Sequence, residues 1–95
     1  MGKFGEKLKE MRTNEGLSVR GFAAELEKSP GYISRIEGRG EIPSSDFVMN
    51  VAEFFDEELD SLLELVKEDQ LSKVEDEINQ KHQQTINLFR KGRRR

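Results

Sequence analysis

Cysteine is absent from this 95-residue chain, which excludes disulfides and thiolate chemistry. Proline occurs only at positions 30 and 43, and neither proline nor glycine falls between Pro43 and Gly92. Everything from Ser44 onward is therefore free to be helical. No apolar stretch approaches the roughly 20 residues that a bilayer span requires. The opening MGKFGEKLKE lacks the apolar core of a signal peptide, so a soluble, cytoplasmic protein is expected. The one histidine, His82, has no second imidazole or thiolate with which to share a metal. No glycine loop of the phosphate-cradling kind follows a strand, and the carboxylates are spread along helices as solvated surface. The expectation is a protein that is not an enzyme and needs no cofactor or metal.

A chain of this length suits one small domain plus an appendage and buries roughly 60–65% of its unfolded surface. Net charge is −3, but it is segregated. Residues 1–45 carry eight Lys/Arg and seven Asp/Glu, residues 46–80 two and twelve, and residues 81–95 six and none, giving blocks of +1, −10 and +6. Screening confines a field to about 8–10 Å, so a binding face responds to its own block rather than to the total. An acidic sum is thus compatible with a polyanionic partner, although it weakens non-specific affinity.

Apolar spacing places the helices. Phe4, Leu8 and Met11 mark a first helix over about 4–14, stopped at Glu15-Gly16; Leu17 enters the core and Ser18 is the N-cap of a second. Phe22 and Leu26 lie four apart, Ile33 and Ile36 three apart, with Glu27-Lys28-Ser29-Pro30 as the polar break between them. Ser29 is a favoured N-cap and Pro30 suits the first helical position, where its missing N–H has no intrahelical partner. Residues 17–37 thus read as two short helices joined by a tight turn. The second keeps Pro30, Gly31, Ser34 and Arg35 off its apolar side, a face small enough to enter a DNA major groove. Residues 38–43 read as a loop, Ser45 as the cap of a fourth helix with Phe47, Val48, Val51, Ala52 and Phe55 inward, and Leu59, Leu62, Leu63 and Val66 as a fifth.

The stretch resembles the phage-repressor or Cro-like (XRE-type) helix-turn-helix family over residues 4–66. The resemblance is carried by Phe22-Ala23, by Leu26, and by Ile33-Ser34-Arg35-Ile36-Glu37 as the recognition helix. It implies a structural ion pair between Arg12 and Glu37, which occupy the family's places for an Arg late in helix 1 and the Glu ending the recognition helix. Three positions depart from the pattern: Val19 stands where the family often has Gln, Glu27 where it often has a turn Gly, and Lys28 where it usually has a buried aliphatic. The last two predict a turn more open than usual. The fold expected is all-α, a five-helix lambda-repressor-like DNA-binding bundle followed by a long C-terminal helix.

Arg35 is the first choice for base readout, because its guanidinium makes bidentate contacts to guanine O6 and N7; the alternative is a solvated cation paired with a helix neighbour. Pro30, Gly31 and Ser34 share that face, and Gly31 lets backbone approach the groove floor closely. Arg20, Lys28, Ser29, Ser34 and Arg39 are phosphate candidates at helix starts and loops. The backbone N–H of Val19 adds the start of the second helix, and Tyr32 either reaches a phosphate with its hydroxyl or covers the turn with its ring.

Beyond Val66 the apolar phase slips by five residues and resumes at Leu71, Val74 and Ile78, with Ile86 and Phe89 continuing a sparse stripe past His82 and Thr85. This reads as a sixth helix starting near Asp69 whose narrow seam needs a partner surface. Division is expected as residues 1–67 for DNA binding, 68–90 for dimerisation and 91–95 as a basic tail. Leu62 and Val66 are expected to join Leu71, Val74, Ile78, Ile86 and Phe89 at a homodimer interface. The tail suits phosphates outside the main site, pairing with the acidic helices, or a solvated end whose cations complement a helix C-terminus. The expected function is a homodimeric regulator, a repressor reading an inverted repeat in double-stranded DNA through residues 30–37. The alternatives are an antitoxin-like or antagonist-like module whose C-terminal helix binds a partner protein, and an RNA binder using the arginine tail.

Overall fold

The computed structural model describes residues 2–93, with side chains through residue 83. It contains α1 (Lys3–Asn14), α2 (Val19–Glu25), α3 (Pro30–Arg39), α4 (Ser45–Phe55) and α5 (Leu59–Arg93), with no strand among the described residues.

Three of these helices start on serine. Ser18 Oγ accepts from the Gly21 N–H at 3.0 Å, Ser29 Oγ from Tyr32 at 3.2 Å and Ser44 Oγ from Phe47 at 3.2 Å. Each satisfies an N–H that has no partner within the helix, a contribution of about 1 kcal/mol. The third corrects the sequence reading, since the cap of α4 is Ser44 and Ser45 is already helical. Another correction falls at the end of α3, which runs through Gly38 and Arg39 before Gly40, at φ 69°, closes it.

The α2–α3 turn is not open. Lys28 N–H donates to Ala23 O at 2.9 Å and Glu27 N–H to Ala24 O at 3.2 Å, the paired bonds of a Schellman closure. Glu27 takes the left-handed conformation, φ 56°, that a glycine would have adopted without steric cost.

Phe4, Leu8, Phe22, Ile33, Ile36, Phe47, Val48, Val51 and Leu62 are fully buried in one core, each apolar side chain contributing about 1.5–3 kcal/mol by leaving water. Gly5 lets α1 and α3 cross closely, because a Cβ there would run into the Ile36 carbonyl.

The fifth and sixth helices of the sequence reading are a single one. Helix α5 passes through residues 66–71 without a break, because nothing in that stretch removes a backbone N–H or favours a turn. At about 100° per residue, a five-residue step turns the apolar stripe by about 140° around the same axis. Leu62 and Val66 therefore face the bundle, whereas Leu71, Val74 and Ile78 are 50–60% exposed on another side. Residues 70–93 carry the helix on by roughly 36 Å at about 1.5 Å per residue. No helix of the described residues is long and apolar enough to cross a membrane.

Candidate nucleic-acid interface

Helix α3 is amphipathic in the sense a reading helix requires. Ile33 and Ile36 have no exposed surface, while Pro30, Gly31, Ser34 and Arg35 are all exposed. The structure thus brings the four proposed base-contacting residues together on one outward face.

That face is anchored from behind by a buried ion pair. Arg12 Nε donates to Glu37 Oε2 and Nη2 to Glu37 Oε1, both at 2.9 Å, while Nη1 donates to the Leu17 carbonyl at 2.6 Å. Both residues are 8% exposed. A planar guanidinium with two parallel bonds to one carboxylate fixes geometry as well as charge. The pair ties the last turns of α1 and α3 and the α1–α2 loop together, so its role is structural. A groove of about 610 Å³ beside it is lined by α1, Val19 and the Ser34–Gly38 side of α3.

The phosphate candidates sit around α3. Arg20 is exposed in the first turn of α2, Lys28 and Ser29 in the turn, and Arg39 at the last residue of α3. The Lys28 ammonium lies 5.5 Å from the centre of the Tyr32 ring, within cation–π range. Ser29 spends a lone pair on capping α3. Val19 is half-buried and packs on the core, leaving only its backbone at the start of α2.

Tyr32 packs on the start of α4. Its ring meets Phe47 edge-on at 5.1 Å and 88°, and its hydroxyl oxygen accepts the Ser44 N–H at 3.2 Å. The hydroxyl accepts here and its own proton is left to donate elsewhere, so the tyrosine braces α3 against α4 with one donor to spare.

Arg35 is exposed but not solitary: its Nε donates to Glu41 Oε1 at 3.0 Å, with side chains 46% and 38% exposed. Sequence reading placed Glu41 in a loop and gave it no role. The signal was Gly40, since a left-handed residue after a helix folds the following one back over the last turn.

At the other end, the structure corrects the proposed dimer set. Leu62 and Val66 are 1% and 7% exposed, taken up by the core of the chain itself. Leu71, Val74 and Ile78 remain on the surface, and the side chains of Ile86 and Phe89 lie outside those described, as does most of the basic tail. Among the described residues no group of His, Asp and Glu is placed to hold a metal ion.

Comparison with known proteins agrees with this geometry. A family model described as a helix-turn-helix domain matches residues 5–68, about two thirds of the chain. The fold is shared with the crystal structure of the clp gene regulator ClgR from Corynebacterium glutamicum, at a TM-score of 0.57 and 22% identity, over 81% of this chain and 83% of that one. No curated protein matches the chain in sequence.

Proposed function

The chain belongs to the helix-turn-helix domain family, and from that premise we propose a cytoplasmic DNA-binding transcription regulator that reads an inverted repeat as a homodimer and represses by occlusion. The observation that carries the DNA reading is the outward face of α3, with Pro30, Gly31, Ser34 and Arg35 exposed above a buried Ile33–Ile36 back. Arg35 makes the sequence-reading contact to guanine, worth about 1–3 kcal/mol of discrimination. Arg20, Lys28, Ser29, Tyr32, Arg39 and the Val19 backbone hold register on phosphates without adding sequence information. The regulatory half is supported by the shared fold, which also serves a clp gene regulator.

Dimerisation is supported by the exposed stripe Leu71, Val74 and Ile78. Two-fold pairing sets recognition helices about 34 Å apart to meet successive major grooves. The same stripe favours a second reading, in which α5 binds a different protein and DNA binding is secondary.

Selection of bound duplexes from a random pool tests the first reading directly. A two-fold symmetric consensus, together with a sedimentation mass of two chains that falls to one when Leu71, Val74 and Ile78 are replaced by Gln, supports it. A pool with no enriched sequence at low salt removes the DNA reading. A monomeric parent protein instead leaves the stripe for a foreign partner.

A further inference from the structure

Glu41 grips Arg35 twice. Its backbone N–H donates to the Arg35 carbonyl at 3.2 Å, and its carboxylate accepts from Arg35 Nε at 3.0 Å. Gly40, left-handed at φ 69°, turns the chain so that both contacts form. The far end of the guanidinium lies beside Gly31, where a Cβ would stand 3.4 Å from Nη1. Among the described residues Nη1 and Nη2 donate to no protein acceptor, so the carboxylate occupies one edge of the guanidinium and leaves its outer fork open.

An exposed pair of this kind adds little to folding, and a carboxylate beside a DNA-facing helix repels phosphate. Both facts count against a purely stabilising role and are turned to advantage if the pair orders Arg35. A free arginine loses rotamer freedom when it docks on a base; one already held at Nε loses less. The two Nη groups are also the pair that matches guanine O6 and N7.

We propose that Glu41 is a positioning residue for base recognition, holding Arg35 by Nε so that Nη1 and Nη2 meet one guanine in the major groove. The inference rests on the DNA reading of α3. Its consequence is a split between specificity and affinity. Removing Glu41 lowers discrimination for that guanine by about two- to tenfold, the equivalent of one ordered side chain, while binding to unrelated duplex is unchanged or tighter because a repulsive charge is gone.

The test titrates full-length parent, Glu41→Ala, Glu41→Gln and Arg35→Ala proteins, at one salt concentration, against the selected duplex and duplexes substituted one base pair at a time. The position at which Arg35→Ala loses discrimination identifies the base. At that position the expected order is parent, then Glu41→Gln, which retains an acceptor, then Glu41→Ala, with matching thermal midpoints. Unchanged discrimination in Glu41→Ala overturns the inference, as does an equal loss of affinity for every duplex. If Arg35→Ala itself keeps full discrimination, the reading of α3 fails and the role of Glu41 with it, an outcome distinct from failure at Glu41 alone.

Discussion

Asp69 caps the first helix of the protein from 65 residues away: its Oδ2 accepts the Phe4 N–H at 3.0 Å while Oδ1 accepts that of Lys3 at 2.8 Å. Gly2, the residue at the N-cap position, offers no side chain for the purpose. The carboxylate also complements the positive end of α1. Because Asp69 lies where α5 leaves the bundle, one side chain both closes α1 and fixes the root of the projecting helix. Asp69→Ala is expected to cost about 1 kcal/mol, lowering the thermal midpoint by roughly 4–8 °C in a domain of this size. Thermal unfolding followed by circular dichroism checks it, and an unchanged midpoint contradicts the cap.

The Arg12–Glu37 pair makes a sharper prediction. Removing one member strands the other charge in the core, which costs about 3–5 kcal/mol, whereas replacing both with apolar residues of similar volume is often neutral. Glu37→Met is therefore expected to be far less stable than the parent, and Arg12→Met/Glu37→Met to regain much of the loss. The regain is incomplete because the Leu17 carbonyl also loses its donor. Urea midpoints of Glu37→Met, Arg12→Met and the double variant, each against the parent, decide it, and additive losses would show that the two residues act independently.

What could be read from sequence was whatever is local. Ser18, Ser29 and Pro30 announce helix starts through chemistry confined to three or four residues, and the Phe22–Leu26 and Ile33–Ile36 spacings announce the faces that follow. Two adjacent serines before Phe47 are both competent caps, so the choice of Ser44 needed the backbone. The slip between Val66 and Leu71 looked like a break because periodicity records which face is apolar, and a continuous helix that leaves its bundle changes face. Asp69 was invisible for a different reason: its partners at the start of α1 are reached only through tertiary approach, and an acidic residue in a polar stretch carries no mark of that. Glu41 was marked only indirectly, by the Gly40 before it, whose left-handed conformation shows in the backbone and not in the sequence.

Glu27 holds a left-handed conformation at the centre of the α2–α3 turn. An L-residue there is strained by about 1–2 kcal/mol, part of which glycine gives back through its more flexible unfolded chain. Glu27→Gly is expected to raise stability by about 0.5–1 kcal/mol. An upward shift of the thermal midpoint with unchanged DNA affinity is the expected result; a downward shift would mean that the side chain makes a favourable contact outweighing the strain.

Phosphate contacts give the salt dependence its slope. If two subunits together neutralise about 6 phosphates, log K falls against log salt with a slope near −5. Arg39→Ala removes one cation per subunit and is expected to flatten the slope by about 2 for a dimer, weakening matched and unrelated duplexes alike. Titrations between low and physiological salt measure this, and an unaltered slope takes Arg39 off the phosphate set.

Gly31 separates two demands on α3. It sits one residue inside the helix, exposed, and a Cβ there meets only the movable end of Arg35 at 3.4 Å. Within the protein an alanine is therefore welcome, and the gain in helix propensity is about 0.5–1 kcal/mol, toward the lower end in a first turn. Against DNA the same methyl group stands where backbone is proposed to approach the groove floor, and it crowds the guanidinium that Glu41 holds. Gly31→Ala is thus expected to melt higher and to bind its selected duplex more weakly, with the loss concentrated at the guanine assigned to Arg35. Paired melting and binding measurements on one preparation decide the matter. If both quantities rise together, the glycine is incidental and the face of α3 lies farther from the bases than proposed.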